Sequence, residues 1–307
     1  MTTPSGPEQS DPGLAAIVSE RRQLINLAYR LLGSLAEAED AVQEAYARWY
    51  ALAPGDRDAI ASPGAWLSTV TSRICLDQLG SARARRERYV GPWIPEPLPE
   101  PTEWVSGGGP PADPADRVTL DESVSMAFLV VLESMTPAER VAFILHDVFG
   151  YPFAEIAGIV GRTPAACRQL ASSGRRRSRA AHRPAAPTAR QSALVRDFGK
   201  AWQASDIAAL VALLDPDAVI TSDGGGQAIA ARHPVKGAGL VSRFLAGIAA
   251  HADDLTVAER TVNGQPGLIA QRGGTTVTVL AFGIEGDRIT RIWAIRNPDK
   301  LRAWAPG

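Results

Sequence analysis

The chain of 307 residues has only two cysteines, Cys75 and Cys167, and four histidines, His146, His182, His233 and His251. Each cysteine stands alone in a helical pattern, which excludes a dense disulfide scaffold and a thiolate zinc site and fits a reducing, cytoplasmic setting. The histidines show neither the close spacing nor the companion ligands of a metal centre, so no metal and no cofactor is expected. No run approaches about 18 consecutive apolar residues, and the start, "MTTPSGPEQSDPG", has no basic segment followed by an apolar one; neither a membrane span nor a secretory leader is expected. A phosphate-binding loop is missing as well. "SDGGGQ" is glycine-rich, but "AIAARHPVKG" after it does not continue as a helix and supplies no Lys-Ser/Thr pair, so it reads as a turn.

What is present is a globular composition, 45% hydrophobic with a net charge of -1, long enough for two or three domains. The balance of charge is uneven along the chain. Arg162, Arg168, Arg175, Arg176, Arg177, Arg179, Arg183 and Arg190 follow one another with no acidic residue between them. Local rather than total charge therefore points to the partner.

Residues 14–90 read as a small helical bundle. Leu24, Ala28, Leu31, Leu32 and Leu35 recur at helical spacing, Ala38, Val42, Ala45, Tyr46 and Trp49 repeat the pattern, and a third helix begins near Ala65 with Trp66, Val70 and Ile74 inward. Residues 91–115 are a Pro- and Gly-rich connector, because proline's fixed φ and missing donor exclude regular structure. Helices resume over 116–182, where "TPAE" places Thr136 as a cap, Pro137 in the first turn and Glu139 to close a capping box. Residues 190–307 change class. Three helices are followed beyond Asp254 by "LTVAERTV", "GLIAQR", "TTVTVLAFGIE" and "RITRIWAIR", which predict an α+β domain with an antiparallel sheet.

Phe153 to Gly174 carries the strongest signal. "FAEIAGIVG" predicts a short helix with small Ala157 at a close helix crossing, Gly161 the turn, and "RTPAACRQL" a second helix opened by Thr163 and Pro164, a helix-turn-helix plan. Arg162, Thr163, Ala165, Arg168 and Gln169 would lie near the end that reaches base edges, and Arg175, Arg176 and Arg177 near phosphates. The competing reading is a plain helical hairpin with a solvated basic tail. A second basic surface, Arg73, Arg83, Arg85, Arg86 and Arg88 beside Trp66 and Tyr89, suits a backbone-tracking groove that holds unstacked bases; taken alone, Trp66 reads as core and the arginines as a solvated face. Asp40, Gln43, Glu44 and Ala47 share the outer face of the second helix, an acidic and polar surface that solvation alone would also explain.

In this order the pieces resemble the extracytoplasmic-function sigma factors of bacterial RNA polymerase, in particular those with a fused SnoaL-like C-terminal domain. The residues that carry the resemblance are "AYRLLGSLAEAEDAVQEAYARWY", "WLSTVTSRICLDQLGSARARRERYVGPW", "TPAERVAFILHDVFGYPFAEIAGIVGRTPAACRQL", and then "GPWIPEPL", "DGGG" and the terminal "NPDKL". The resemblance implies a multidomain protein: two all-α domains, sigma regions 2 and 4, ahead of an α+β cone-shaped barrel of the SnoaL and nuclear-transport-factor-2 type. It implies that Asp40, Gln43 and Glu44 meet the β′ clamp helices of the polymerase core, and that region 4 engages the β flap. Arg73, Asp77 and Arg83 to Arg88 would face the minus-ten promoter element, Arg168 and Gln169 the minus-thirty-five element. The C-terminal domain would be a built-in regulator, touching the linker through Asp223, Gly224, Gly225 and Gly226 and through Asn297, Pro298, Asp299, Lys300 and Leu301. Linker residues Trp93, Ile94, Pro95, Glu96, Pro97 and Leu98 are the expected counterpart, with Trp93, Ile94 and Leu98 packed on that domain.

Six positions depart from the family pattern. Gln78 and Gly80 stand where relatives commonly carry Arg, Ser173 and Gly174 where they usually have Arg-Ala, Ile94 replaces Leu, and Gln227 replaces Lys. Two other readings stay open. One is a small-molecule cyclase or isomerase with a DNA-binding N-terminal part, for which Asp223, His233 and Trp293 are the nameable candidates. The other is a transcription factor that binds DNA without polymerase. A small ligand in the C-terminal pocket is compatible with any of them.

Overall fold

The computed structural model describes residues 12–86, 89–99, 124–180, 189–250 and 254–305. The first block comprises α1 (Pro12–Leu32), α2 (Leu35–Ala51), α3 (Pro54–Asp58) and α4 (Pro63–Arg86). Ser34 caps α2, its hydroxyl accepting from the Glu37 N–H at 3.4 Å. The inward Ala38, Ala41, Val42 and Ala45 are small enough to let α1 and α4 approach. The five-residue α3 occupies a stretch that the sequence marks as a break.

The second block has α5 (Met126–Glu133), α6 (Pro137–Phe143) continued by a π-helical turn over Ile144–Val148, α7 (Phe153–Val160) and α8 (Pro164–Ala180). The expected capping box on α6 is formed in full by Thr136 and Glu139. Gly161 ends α7 in the left-handed region at φ 66, as a tight turn into α8 requires. Gly174 has a packing reason: a Cβ there would lie 2.8 Å from Phe143 Cβ, so the helix-weakening glycine is what lets α8 sit on α6.

The two helical blocks share one apolar core. Leu24, Leu31 and Ile74 of the first block belong to the same buried cluster as Leu129, Phe143, Ile156 and Cys167 of the second. Arg140 donates to Leu31 O at 2.9 Å and Leu132 O at 2.6 Å, Arg73 donates to Gly158 O at 3.0 Å, and Arg30 lies 5.7 Å from the centre of the Phe149 ring. Leu31 and Gly158 lie in the last turns of α1 and α7, where helix carbonyls lack internal partners and cations are favoured.

The C-terminal domain has α9 (Ala189–Gln203), α10 (Ile207–Leu213), β1 (Leu214–Asp223), β2 (Val235–Lys236), α11 (Ala238–Ala250), β3 (Leu255–Val262), β4 (Gln265–Arg272), β5 (Thr275–Glu285) and β6 (Arg288–Ile295), then single 3-10 turns at Pro298–Lys300 and Arg302–Trp304. Strand order is β2-β1-β6-β5-β4-β3. All neighbours are antiparallel except β1 and β6, which run parallel, so the sheet is mixed rather than purely antiparallel. The strands expected beyond Asp254 are present; β1 and β2 add two strands to them.

Alternation along the strands divides the sheet into two apolar faces. Ala218, Ile220, Leu280, Ile292 and Ala294 face α9 to α11 and close over Phe198 and Trp202, whose indole donates to Leu245 O at 2.9 Å. Val279, Ala281, Trp293 and Ile295 face the other way, onto Ile94, Met126 and Trp304. That second face positions the interdomain site. Cys75 and Cys167 are free and buried, and burial pushes both thiols up. Among the described residues no helix is long and apolar enough to cross a membrane.

Candidate interdomain and nucleic-acid interfaces

Residues 89–99 form no helix or strand, yet Ile94, Pro95, Glu96, Pro97 and Leu98 are all buried. One edge of this strip meets the turn between α1 and α2. Glu96 N–H donates to Gly33 O at 2.8 Å, Tyr29 OH donates to Glu96 O at 2.7 Å, and Glu96 Oε2 accepts from Leu35 N at 2.8 Å and Ser34 Oγ at 3.2 Å. Gly33 has φ +71, and a Cβ there would stand 3.0 Å from the Trp93 ring.

The other edge meets the C-terminal domain. Asp223, at the end of β1 and fully buried, has every oxygen engaged. Oδ2 accepts from Ile94 N at 2.9 Å and Lys300 Nζ at 2.8 Å; Oδ1 accepts from Tyr89 OH at 2.6 Å and Gly225 N at 3.0 Å; its carbonyl accepts from the N–H groups of Arg296 and Asn297. Lys300 also donates to Ile94 O and sits 4.0 Å from the centre of the Trp93 ring and 5.4 Å from that of Tyr89. A buried ammonium thus has a carboxylate, a carbonyl and two ring faces around it, which offsets its lost hydration. Burial first, and then the hydrogen bond to the Asp223 carboxylate, hold the Tyr89 phenol well above its ordinary pKa, so it remains a donor.

Asn297 completes this corner, donating to Tyr89 OH at 2.8 Å while accepting from Asp299 N at 3.0 Å. Gly225, at φ +60, has no room for a side chain, since a Cβ would come 2.4 Å from Asn297 Cγ; one at Gly224 would meet Ala228 O at 2.3 Å, and one at Gly226 would stand 3.2 Å from Val90. Gln227, standing where a Lys is usual, donates to exposed Asp299 at 2.8 Å. Pro298 begins the 3-10 turn on the surface, and Leu301 is buried with Ile94 and Trp304.

Sequence reasoning missed several partners. Trp304 donates to Pro97 O at 2.8 Å. Asn263, at positive φ in the β3–β4 turn, exchanges both backbone and side-chain bonds with Leu98 and donates to Tyr29 OH at 2.8 Å. "NGQPG" signals only a turn; nothing in it marks Asn263 as an interdomain contact.

The other expected site residues fall into three groups. Asp40, Gln43 and Glu44 are exposed on one face of α2, with Glu44 paired to Arg48. Arg162, Thr163, Ala165, Arg168 and Gln169 are exposed around the start of α8, Arg168 lying 5.3 Å from the centre of the Phe153 ring. Arg176 is exposed, but Arg175 pairs with Asp147 at 2.6 Å and Arg177 lies 3.8 Å from Glu139. Asp77 is exposed on α4 beside Arg73. Arg83, Arg85 and Arg86 lie on α4 with side chains outside the described residues, and Arg88 lies outside them altogether.

The acid/base candidates do not form one constellation. Asp223 is committed to the interdomain junction, His233 is exposed, and Trp293 belongs to the outer-face cluster with Ile94. A cavity of about 60 Å³ lies on that outer face, lined by Met126 of α5 and by Val262, Ala281, Arg291 and Trp293 of the sheet.

Comparison with known proteins places these domains. Residues 16–85 match the family model Sigma-70 region 2, and residues 125–177 match Sigma-70, region 4. The chain is 38% identical over 296 residues to ECF RNA polymerase sigma factor SigJ of Mycobacterium tuberculosis, covering 92% of this chain and 90% of that protein. It is 37% identical over 301 residues to a probable ECF RNA polymerase sigma factor, SigI, of the same organism, covering 96% and 98%. The crystal structure of Mycobacterium tuberculosis SigJ superposes with a TM-score of 0.72 at 33% identity, over 94% of this chain and 98% of that one.

Proposed function

This chain belongs to the extracytoplasmic-function sigma factors of RNA polymerase, and from that premise we propose how its domains divide the work. As a sigma factor it acts with RNA polymerase core and promoter DNA in transcription initiation. In our reading the first block, about residues 14–90, binds core through Asp40, Gln43 and Glu44 against the β′ clamp helices, and reads the minus-ten element through Arg73, Asp77 and the arginines that follow. The second block, 116–182, engages the β flap and places α8 in the major groove at the minus-thirty-five element, with Arg168 and Gln169 reading base edges. Asp40, Gln43, Glu44, Asp77, Arg168 and Gln169 are solvent-accessible, and their residue types and placement suit the roles.

The C-terminal domain, 190–307, is in this reading a regulator and not an enzyme. One observation carries it: the strip 89–99 is bonded on one edge to the first block and on the other to Asp223, Asn263, Lys300 and Trp304. A carboxylate consumed by that junction is unavailable as an acid or base. The domain therefore acts as a latch on the linker between the two promoter readers, and tethering keeps it effective through modest contacts. Closure also withholds Arg73, held by Gly158 O of the helix-turn-helix, so reading the minus-ten element requires the two blocks to part. A small ligand would act at the cleft between α5 and the sheet, which both domains line.

The test is transcription by core polymerase with full-length protein, with residues 1 to about 190, and with the chain ended before Asn297. The latch reading expects both shortened forms to change initiation; unchanged initiation by both sinks it. Failure of the full-length protein to direct core to any promoter would overturn the assignment of the helical blocks.

A further inference from the structure

We propose that Glu96 couples the C-terminal domain to the polymerase-facing helix α2, so that an engaged latch holds that helix ready for core. The inference rests on the reading of Asp40, Gln43 and Glu44 as the core contact. Through Glu96 the latch strip bonds directly to the start of α2. Its carboxylate accepts the N–H of Leu35, the first residue of α2, and the hydroxyl of Ser34, which is itself the cap of that helix. The α2 N-terminus is therefore closed twice, by the local Ser34 and by a residue from the linker. A carboxylate there also complements the positive end of the helix dipole.

Glu96 stands between Pro95 and Pro97, whose φ angles are fixed, so the strip moves as a stiff piece. Its neighbours are hydrogen-bonded to the C-terminal domain, Ile94 to Asp223 and Lys300, Pro97 to Trp304 and Leu98 to Asn263, and the Lys300 charge also favours the Glu96 carboxylate. Releasing those bonds frees the strip to leave the α1–α2 turn. Leu35 N–H then loses its acceptor, the Ser34 hydroxyl loses the acceptor of its proton, and Gly33 loses the Trp93 ring that covers it. Glu96 is a positioning residue, acting on core through α2 without touching it.

The experiment is titration of core polymerase against the full-length protein, with hydrogen exchange of the Leu35 amide as a second readout. Glu96→Ala is expected to weaken core binding about tenfold, the size of a lost cap, and to speed Leu35 exchange. Glu96→Gln, which keeps an acceptor oxygen, is expected to restore both. Asp223→Asn, or the milder Trp304→Phe should Asp223→Asn fold poorly, is expected to weaken core binding in the native background and to do nothing further in Glu96→Ala. Wild-type core binding by Glu96→Ala, or simple addition of the two effects, overturns the coupling. Asp40→Lys separates this from the underlying reading. If it binds core as the native protein does, α2 is not the contact, and the coupling then stands or falls on whether Asp223→Asn speeds Leu35 exchange.

Discussion

Lys300 and Asp223 are the clearest case of residues whose worth depends on each other. Their side chains are 10% and 0% exposed and lie 2.8 Å apart. Lys300→Met leaves Asp223 buried and uncompensated and is expected to cost about 3–5 kcal/mol of stability by denaturant unfolding, whereas Lys300→Met with Asp223→Asn should cost less than the sum of the two singles. Gly174→Ala is expected to destabilise by roughly 1–3 kcal/mol despite alanine's better helix propensity, because the added methyl would overlap Phe143. Glu139 gives a pH signature. Burial alone would raise its pKa, but the Thr136 N–H, the hydroxyls of Ser173 and Thr136, and Arg177 together bring it below its ordinary 4.5. A depressed folded-state pKa means that stability is present above about 4.5 and is lost as pH falls through the folded value. An acid titration followed by circular dichroism should show the native protein and Glu139→Gln converging below that pH.

At the scale of elements, α8 is the part whose chemistry was most legible. "RTPAACRQL" specifies a capped helix after a left-handed glycine, and Arg168 and Gln169 are exposed near its start, as the proposed base-edge reading requires. Arg168→Ala is expected to cost about 1–3 kcal/mol of promoter binding and to flatten preference at one position of the minus-thirty-five element, measured by competition among variant promoters. A uniform loss over all DNA sequences would assign it to a phosphate. By contrast β1 was hidden. "LDPDAVITSD" follows directly on α10, and its long pairing is parallel to β6, about seventy residues later, a non-local contact that leaves no local period to read. Asn263 was hidden for a related reason: its turn is locally ordinary, and only docking against Leu98 and Tyr29 gives it a role.

At the scale of the whole molecule, the bundle and the helix-turn-helix block, expected as separate domains, share a core, and the strip 89–99 is the seam between them and the sheet. Arg73 and Arg140 donate across the block boundary to helix C-terminal carbonyls, contacts that separation of the blocks would break. Arg140→Ala, which also removes the ion pair with Glu133, is expected to loosen the closed arrangement. Small-angle scattering should show a larger radius of gyration than the native protein; an unchanged radius would mean that the shared apolar core and the Arg73 bond suffice to keep it closed.

The sequence by itself determined the domain order, the helix-turn-helix, the capping box and the acidic face of α2, because each is written in spacings of a few residues that the backbone reads locally. The tertiary structure alone decided which atoms Asp223 joins at the linker, that Gly174 is there for Phe143, and that Glu96 caps a helix whose first residue lies 61 positions before it. Those roles arise from buried polar groups that must find partners wherever the packed chain supplies them, and distance along the sequence does not constrain where that is.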